Sequence, residues 1–402
     1  MKLKDIFEKP ISGEWGKEVG EGENGSKVIR TTNFTNIGRL DLSSIVERDI
    51  DSIKHENKKL KFGDIIIEKS GGSPTQPVGR VVIFEETNEE VYFCNNFTSI
   101  LRPNKNIVPK FGLYLLKNLY NKKKVLKFQN KTTGIINIKL NDYLNNTEIT
   151  IPNLEVQNRI VEVLNKTQEL IDKRKEQIES LDELVKSKFI EMFGNPVNND
   201  MKWDKVVCND ITSKIGSGAT PKGGNSSYKE QGISLIRSMN VHNNTFLVKD
   251  LAFIDDKQAE KLKNVIVKED DILLNITGAS VARCCKVPKD IIPARVNQHV
   301  AILRCDNEKI NPSFMEYQFT NESYQRLLWD IATSGGATRE AITKQQIQML
   351  EVILPPIELQ NQFAEFVNQV YKLKFEMEKS LKELEDNFNS LMQKAFKGEL
   401  FK

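Results

Sequence analysis

Apolar residues recur at every seventh position in two long, charged segments of the chain. The first row is Leu164, Ile171, Ile178, Val185 and Met192, seconded by Ile160 and Leu181. The second row is Phe363, Val370, Met377, Leu384 and Leu391, seconded by Val367, Leu381, Phe388 and Ala395. A seven-residue period held over five repeats is typical of paired helices in a coiled coil. We therefore predict long helices over 151–195 and 353–402; amphipathic helices on separate domains are the alternative.

The sequence before each helix also occurs twice. Ile151-Pro152-Asn153-Leu154-Glu155-Val156-Gln157 is matched 203 positions later by Leu354-Pro355-Pro356-Ile357-Glu358-Leu359-Gln360. Val28-Ile29-Arg30-Thr31-Thr32-Asn33 is matched by Leu235-Ile236-Arg237-Ser238-Met239-Asn240. One unit of a globular part and a helix has therefore been duplicated. The apolar row of the second helix is largely polar at the matching positions of the first, which favours pairing of the two helices within one chain.

The globular segments 1–150 and 196–352 read as short strands followed by helical pattern. Strands are predicted at 65–67, 79–84 and 97–101 in the first segment and at 272–274 and 299–304 in the second, with helical pattern over 111–127 and 312–331. The fold class is therefore α+β. We expect two similar domains separated by an antiparallel coiled coil, in a pseudo-two-fold arrangement.

Charge is unevenly distributed along this chain of 402 residues and net charge +3. No acidic residue lies between Glu90 and Asp142, whereas ten cations do. They are Arg102, Lys105, Lys110, Lys117, Lys122, Lys123, Lys124, Lys127, Lys131 and Lys139, with aromatic residues among them. Uncompensated cations repel one another unless a polyanion lies nearby, so this basic run indicates contact with nucleic acid. A solvated charged face is the alternative.

Five cysteines without metal-ligand spacing indicate a reducing compartment, and we expect a cytoplasmic protein. The residues after Met1 form no apolar leader, and no stretch has the roughly 18 apolar residues of a membrane-spanning helix. No contact with membrane is expected.

The segments that superficially suggest catalytic motifs each lack residues that those motifs require. Gly216-Ser217-Gly218-Ala219-Thr220-Pro221-Lys222 lacks the Gly-Lys-Ser/Thr and following helix of a phosphate-binding loop. Asn195-Pro196-Val197-Asn198 lacks the aromatic residue of the Asn-Pro-Pro-Tyr motif in adenine methyltransferases. The three histidines are scattered, with no ligand or nucleophile at suitable spacing. We predict no enzyme activity, no metal and no cofactor on this chain.

Candidate DNA-binding residues fall at matching places in the two halves. Arginine and asparagine suit bidentate contacts with base edges, and glycine-rich turns let backbone N–H groups approach phosphates. Ordinary connecting loops are the alternative reading. The candidates are Arg30, Asn33, Lys69, Arg80, Lys122, Lys123, Lys124, Lys131, Thr132 and Thr133 in the first half, and Arg237, Asn240, Thr277, Arg283, Lys286, Ser334, Gly335, Gly336 and Arg339 in the second.

These features together resemble the specificity subunit of type I restriction-modification systems. The resemblance rests on the duplicated order of domain and helix, the repeated helix openings, Ile236-Arg237 with Asn240, Gly218-Ala219-Thr220-Pro221 and Gly335-Gly336-Ala337-Thr338. The first half departs at Ser12-Gly13-Glu14, which replaces the Gly-Thr-Pro opening, and at Thr132-Thr133-Gly134, which replaces the glycine-rich loop.

The resemblance implies a non-catalytic adaptor that binds double-stranded DNA. Each domain would read one half of an asymmetric bipartite site, and the coiled coil would fix the spacer. Two methyltransferase subunits would bind the helices and domain flanks, and two restriction subunits could join. S-adenosylmethionine, ATP and Mg²⁺ would belong to those partners. The recognition subunit of a type IIB-like enzyme, or a coiled-coil interaction protein without a DNA role, are the alternatives.

Overall fold

The computed structural model describes residues 1–21, 24–73, 75–132, 135–334 and 340–401, without the side chains of residues 131 and 132. Contacts divide the chain into two compact units. Unit 1 is Met1–Arg174 with Ser380–Lys402, and unit 2 is Lys175–Lys379. Each unit therefore holds one globular domain and part of each long helix.

The described residues of unit 1 form ten strands and two α-helices besides the long ones. The strands are β1 (Ile11–Ser12), β2 (Ser26–Ile29), β3 (Val46–Arg48), β4 (Ile65–Glu68), β5 (Ser70–Gly71), β6 (Val81–Ile83), β7 (Tyr92–Cys94), β8 (Thr98–Leu101), β9 (Gln129–Thr132) and β10 (Ile135–Ile138). The helices are α1 (Pro109–Asn121) and α2 (Leu140–Asn146), and the first long helix is α3 (Leu154–Phe193).

In the part of unit 2 that the structure describes, there are eleven strands and four α-helices besides the long ones. The strands are β11 (Lys205–Val207), β12 (Thr212–Ser217), β13 (Ile233–Ile236), β14 (Val241–His242), β15 (Thr245–Phe246), β16 (Ala252–Ile254), β17 (Ile272–Asn275), β18 (Cys284–Lys286), β19 (Ala294–Val296), β20 (Val300–Cys305) and β21 (Glu351–Ile353). The helices are α4 (Asp256–Glu260), α5 (Pro312–Thr320), α6 (Glu322–Thr333) and α7 (Lys344–Gln348), and the second long helix is α8 (Ile357–Ala395).

Two sheets of unit 1 have the same topology as two sheets of unit 2, so the predicted internal repeat and α+β class are confirmed. The antiparallel sheet β1-β8-β4-β6 of unit 1 corresponds to β12-β20-β17-β18 of unit 2. The mixed sheet β3-β2-β7 corresponds to β16-β13-β19, each with one antiparallel and one parallel pair. Continuous burial along β4 and β17 places these strands inside their cores, as their unbroken apolar runs predict.

A buried ion pair is repeated at the same place in each unit. Asp64 accepts hydrogen bonds from Arg102 Nε at 2.8 Å and Nη2 at 2.7 Å. Asp271 accepts from Arg304 Nε and Nη2, both at 2.8 Å. The carboxylates are 1% and 0% exposed, so the paired geometry is what makes their burial tolerable. Arg102 of the basic run therefore has its counter-ion within the fold.

The long helices run antiparallel. In unit 1, Ile160, Leu164 and Ile171 of α3 share a core with Phe388 and Met392 near the end of α8. In unit 2, the later part of α3 shares a core with the beginning of α8, through Leu181, Val185, Phe189, Phe363 and Val367. The predicted antiparallel pair is therefore confirmed, and each fully buried apolar side chain contributes roughly 1.5–3 kcal/mol.

In unit 2 the buried residues of α3 do not recur at every seventh position. Leu181, Val185, Phe189 and Phe193 are buried at intervals of four, whereas Met192 is only partly buried. Phe189 and Phe193 also pack on Phe314 of α5, with ring centroids 5.6 and 4.7 Å apart. The helix therefore faces the globular domain as well as its partner helix, and that widens its apolar face.

A buried glutamine fixes the beginning of each long helix. Gln157 Nε2 donates to Pro152 O at 2.9 Å, and Gln157 Oε1 accepts from Val108 N at 2.9 Å. Gln360 makes the same bonds, donating to Pro355 O at 2.7 Å and accepting from Asn311 N at 2.8 Å. Val108 and Asn311 cap α1 and α5. The repeated sequence opening is therefore a brace that joins α3 to α1 in unit 1 and α8 to α5 in unit 2.

Candidate functional site

The candidate residues concentrate at one end of the four-stranded sheet in each unit, which we call the loop end. In unit 2, β12 finishes opposite the start of β20, where Ser217 pairs with Ala301, and β17 finishes beside them, where Asn275 pairs with Val300. Antiparallel pairing therefore brings the connections after β12, after β17 and before β20 together. The opposite end carries the Asp271–Arg304 pair near the first turn of α5.

In both units a glycine directly follows the edge strand of the four-stranded sheet at the loop end, Gly13 after β1 and Gly218 after β12. A Cβ on Gly13 would lie 2.1 Å from Asn95 O, and a Cβ on Gly218 would lie 1.8 Å from Val296 O. Gly13 N donates to Thr98 O, and Gly218 N to Asn297 O. Because only glycine permits these approaches, the Ser12-Gly13 opening does the same structural work as the Gly218 opening.

The Arg-Asn pairs form the same turn in both units, but the asparagines are fully buried. Asn33 Oδ1 accepts from Arg30 N at 2.9 Å and its Nδ2 donates to Asp41 O at 2.9 Å. Asn240 Oδ1 accepts from Arg237 N at 3.1 Å, and its Nδ2 donates to Leu247 O at 2.9 Å. This burial conflicts with the predicted base contacts of Asn33 and Asn240, and we assign both a structural role.

The two arginines of these turns stay candidates. Arg30 Nη2 donates to Ser44 O at 3.1 Å, and Arg237 Nη2 donates to Asp250 O. The Arg237 guanidinium lies 5.4 Å from the Tyr228 ring centre. Each arginine has a buried Nε without a partner among the described residues. Each side chain therefore keeps unused donors at a partly exposed position.

Arg80 and Arg283 are equivalent in the fold but differ in their partners. Arg80 Nε and Nη2 donate to the buried Glu68 carboxylate at 3.0 and 3.1 Å, and Nη2 also reaches Thr31 O. The residue equivalent to Glu68 is Asn275, and Arg283 lies 3.5 Å from His242 Nδ1, with no ion pair in the described part of the chain. Arg80 therefore serves the fold, contrary to its predicted role in DNA binding, whereas Arg283 stays a candidate.

In unit 1 the structure brings together the segments of two predicted loops. Ser70 and Gly71 of β5 pair with Asn137 and Ile136 of β10, whose other neighbour is β9. The Lys69 ammonium donates to Ser12 Oγ at 2.7 Å, and its partial burial lowers its pKa. The side chains of Lys131 and Thr132, and Thr133 itself, lie outside the described part of the structure.

In unit 2 a bridge between Thr277 and Ala341 brings the connection after β17 beside the return to α7. Thr277 Oγ1 lies 2.5 Å from His299 Nδ1. Ser334 is exposed, and its hydroxyl donates to Ile331 O at 2.9 Å. Gly335, Gly336 and Arg339 lie outside the described residues. Thr277 and Ser334 therefore remain predictions.

Lys286 lies at the opposite end of the β17–β18 pair from Thr277, because it is paired with Ile272. Its ammonium donates to Ser313 Oγ at 3.0 Å and lies 3.5 Å from Asp270. Its N–H donates to Glu316, a carboxyl whose burial raises its pKa to about 7. Lys286 therefore lies apart from Thr277 and Arg283, and the three candidates do not form one DNA contact.

The basic run is partly neutralised by residues distant in sequence. Besides Arg102, Lys110 pairs with Glu85 at 3.0 Å, and the partly buried Lys117 donates to Ile37 O at 2.5 Å, with a pKa lowered to about 8 by desolvation. For Arg102, Lys110 and Lys117, the lack of acidic neighbours in the sequence therefore does not indicate contact with nucleic acid. Lys122, Lys123 and Lys124 are exposed and have no ion pair within the described ranges. They remain candidates for phosphate contacts.

The glutamine braces were missed from sequence, although the repeated Gln157 and Gln360 were a signal for them. No helix of the described residues is long and apolar enough to cross a membrane. The same residues contain no group of three or more His, Cys, Asp or Glu side chains placed to hold a metal ion.

Comparison with known proteins places these features in a family. The family described as "Type I restriction modification DNA specificity domain" matches residues 1–180 and again residues 201–386. The specificity subunit of the type I restriction enzyme StySPI from Salmonella potsdam is 24% identical over 393 residues, covering 93% of this chain and 82% of that protein.

Two solved structures share the fold. The S subunit of a type I restriction-modification system from M. genitalium has a TM-score of 0.55 at 16% identity, covering 98% of this chain and 95% of that one. A chain from a structure on complex assembly and conformational transition of the type I R-M system has a TM-score of 0.60 at 17% identity, covering 100% and 97%.

Proposed function

Because the chain belongs to the family of type I restriction-modification DNA specificity domains, we infer that it is the DNA-recognition subunit of a type I restriction-modification complex. The observation that carries this inference is the double match of the family over 1–180 and 201–386. Each match spans a complete copy of the paired sheets and loop end. A chain with two such copies can contact two separate DNA segments.

We propose that each unit reads one half of an asymmetric bipartite site. Corresponding strands lead to the two loop ends, but side chains there differ: Glu68 beside Arg80 in unit 1 is replaced by Asn275 beside Arg283 in unit 2. Identical loop ends would favour a symmetric site, whereas different ones favour two unlike halves.

The duplicated braces support the binding of two copies of a partner. Gln157 and Gln360 hold the same arrangement of helices in both units, so the flank beside each brace recurs with similar backbone geometry. Two methyltransferase subunits would dock on these repeated flanks and helices, and two restriction subunits could join them. S-adenosylmethionine, ATP and Mg²⁺ would then be bound by the partners, with this chain acting as a non-catalytic adaptor in the cytoplasm.

Reconstitution tests this proposal. The chain is co-expressed with its methyltransferase partner, and adenine methylation is mapped across the genome with and without this gene. We expect one bipartite motif that disappears when the gene is removed. Methylation that is unchanged by its removal would overturn the recognition role. Methyl transfer by a pure sample of this chain alone would overturn the adaptor role.

A further inference from the structure

The turn before β20 is held rigidly at the loop end of unit 2. Asn297 is buried, its N–H donates to Ile236 O at 3.0 Å, and its carbonyl accepts from Gly218 N at 3.1 Å. Asn297 Oδ1 accepts from His299 N at 3.0 Å. Two other segments and one bond within the turn therefore fix the backbone on both sides of Gln298, which is exposed.

A chain of side-chain hydrogen bonds fixes the amide of Gln298. Thr220 Oγ1 donates to Gln298 Oε1 at 2.5 Å, and Gln298 Nε2 lies 3.0 Å from His299 Nε2. An amide nitrogen can only donate, so His299 Nε2 is the acceptor and Nδ1 carries the proton. His299 Nδ1 then donates to Thr277 Oγ1 at 2.5 Å. These bonds hold the Gln298 amide on two sides.

The fixed amide retains hydrogen-bonding capacity. A glutamine amide has two N–H hydrogens and two oxygen lone pairs, and the bonds to Thr220 and His299 use one of each. One donor and one acceptor are left on an exposed side chain. Glutamine recognises adenine in the major groove by donating to N7 and accepting from the N6 amino group.

We propose that Gln298 reads an adenine in the half-site contacted by unit 2, and that His299, Thr220 and Thr277 are positioning residues. This inference rests on the proposed function. The network holds a flexible side chain in place before DNA binds, which lowers the entropic cost of forming the contact. Arg283, in the connection after β17, supplies a nearby cation. No carboxylate bonds to the network within the described residues.

The equivalent turn of unit 1 is built differently. Asn95 takes the place of Asn297, with its N–H donating to Ile29 O and its carbonyl accepting from Thr98 N. The next two residues are Asn96 and Phe97, and Phe97 is 46% exposed. A phenyl ring cannot accept the amide hydrogen that His299 accepts. The proposal is therefore specific to unit 2.

Methylation mapping of the complex with Gln298→Ala tests the proposal. We expect one A:T position in one half of the motif to become degenerate, with the other half and the spacer unchanged. Gln345→Ala is the matched control, because Gln345 is an exposed glutamine on α7 in the same unit. The control should leave the whole motif intact.

Substituted DNA tests the chemistry of the contact. With 7-deazaadenine at the identified position, which lacks the N7 acceptor, the unmodified complex should bind roughly 5- to 150-fold more weakly. The Gln298→Ala complex should bind both DNAs equally. Thr220→Val should partly reproduce the loss, and Thr220→Ser should restore affinity, since only the hydroxyl is needed.

Three outcomes would overturn the inference: an unchanged motif with Gln298→Ala, degeneracy at a G:C pair, or full sensitivity to 7-deazaadenine in the variant. If Gln298→Ala fails to fold, as judged by thermal unfolding, Gln298→Glu keeps the size and should lose preference for adenine at the same position. If the unmodified complex methylates no bipartite motif, the proposed function fails instead.

Discussion

The two units share their interior bonds and differ where their loops meet solvent. The Asp64–Arg102 and Asp271–Arg304 pairs use the same donor and acceptor atoms at similar distances, and so do the two glutamine braces. At the loop end, Glu68 with Arg80 in unit 1 is replaced by Asn275 with Arg283 in unit 2. Duplication has therefore kept the ion pairs and the braces and changed the polar bonds at the loop end, including those of the buried Glu68 and Asn275.

The turn that follows each Arg-Asn pair is likewise held by different side chains in the two units. In unit 1, Lys117 of α1 donates to Ile37 O, whereas in unit 2 the equivalent Thr320 accepts from Asn244 Nδ2 at 3.0 Å. Both arrangements attach the turn to equivalent helices, α1 in unit 1 and α5 in unit 2. Different side chains can thus hold one backbone, which leaves the surface free to vary.

The largest expected effect is the loss of the repeated ion pair. Asp64→Ala and Asp271→Ala should each destabilise the chain by about 3–5 kcal/mol, because each leaves a mostly buried arginine without its partner. Urea unfolding of the purified chain measures this loss. Asp210→Ala, an exposed control in unit 2, should change stability by less than about 0.5 kcal/mol. Strongly unequal losses at the two aspartates would argue against a shared interior.

The next prediction separates Arg80 from Arg283. Arg80→Ala should cost about 3 kcal/mol of stability, because the Glu68 carboxylate stays buried without a counter-charge. Arg283→Ala should cost less than about 1 kcal/mol of stability but weaken DNA binding. Thermal unfolding measures the stability of both variants, and a DNA-binding titration measures their affinity for DNA. Equal destabilisation would show that Arg283 also serves the fold.

Titration of a buried carboxyl in helix α5 should affect stability through unit 2. The buried Glu316 has a pKa raised to about 7, whereas its unit 1 counterpart is the apolar Leu113. The folded state holds this proton more tightly than the unfolded state, so stability falls between pH 4.5 and about 7, by up to roughly 3 kcal/mol. Glu316→Gln should therefore stabilise the chain at pH 8 and have little effect near pH 4.5. A stability gain that is constant across this range would exclude the titration of Glu316.

The smallest expected effect concerns phosphate contacts. Lys123→Gln should lower the slope of log affinity against log salt by about 0.9 if Lys123 neutralises one phosphate, with no change in the recognised sequence. Its counterpart Arg326 has Glu322 at 3.9 Å, so Arg326→Gln should change the slope less. DNA-binding titrations at several salt concentrations compare the two. An unchanged slope with Lys123→Gln would show that this lysine faces solvent in the complex.

The helices and the repeat were predictable because both leave periodic marks on the sequence. A row of apolar residues every seven positions is diagnostic of a paired helix, and Ile160, Leu164 and Phe363 are buried as that row requires. The strands around Ile66, Ile100 and Leu273 were predictable for a similar reason, since short apolar runs between turn residues favour buried strands.

The candidate site was only partly predictable, because one side chain can serve either the fold or a ligand. Asn33 and Asn240 have the amide that would read adenine, yet both amides are used to hold a turn. Gln298 has the same chemistry in an exposed position, and no periodic pattern in the sequence marks it. Burial distinguishes these cases, and burial depends on contacts between distant segments.

By itself the sequence determined the α+β class, the duplicated order of domain and helix, and the family resemblance, because these depend on local patterns and on the offset between repeats. The tertiary structure decided which charges are neutralised and which amides are free. Asp64 reaches Arg102 and Glu85 reaches Lys110 only after the strands have paired. An ion pair or hydrogen bond requires atoms within about 3 Å, and in this chain such distances are set by packing rather than by sequence separation.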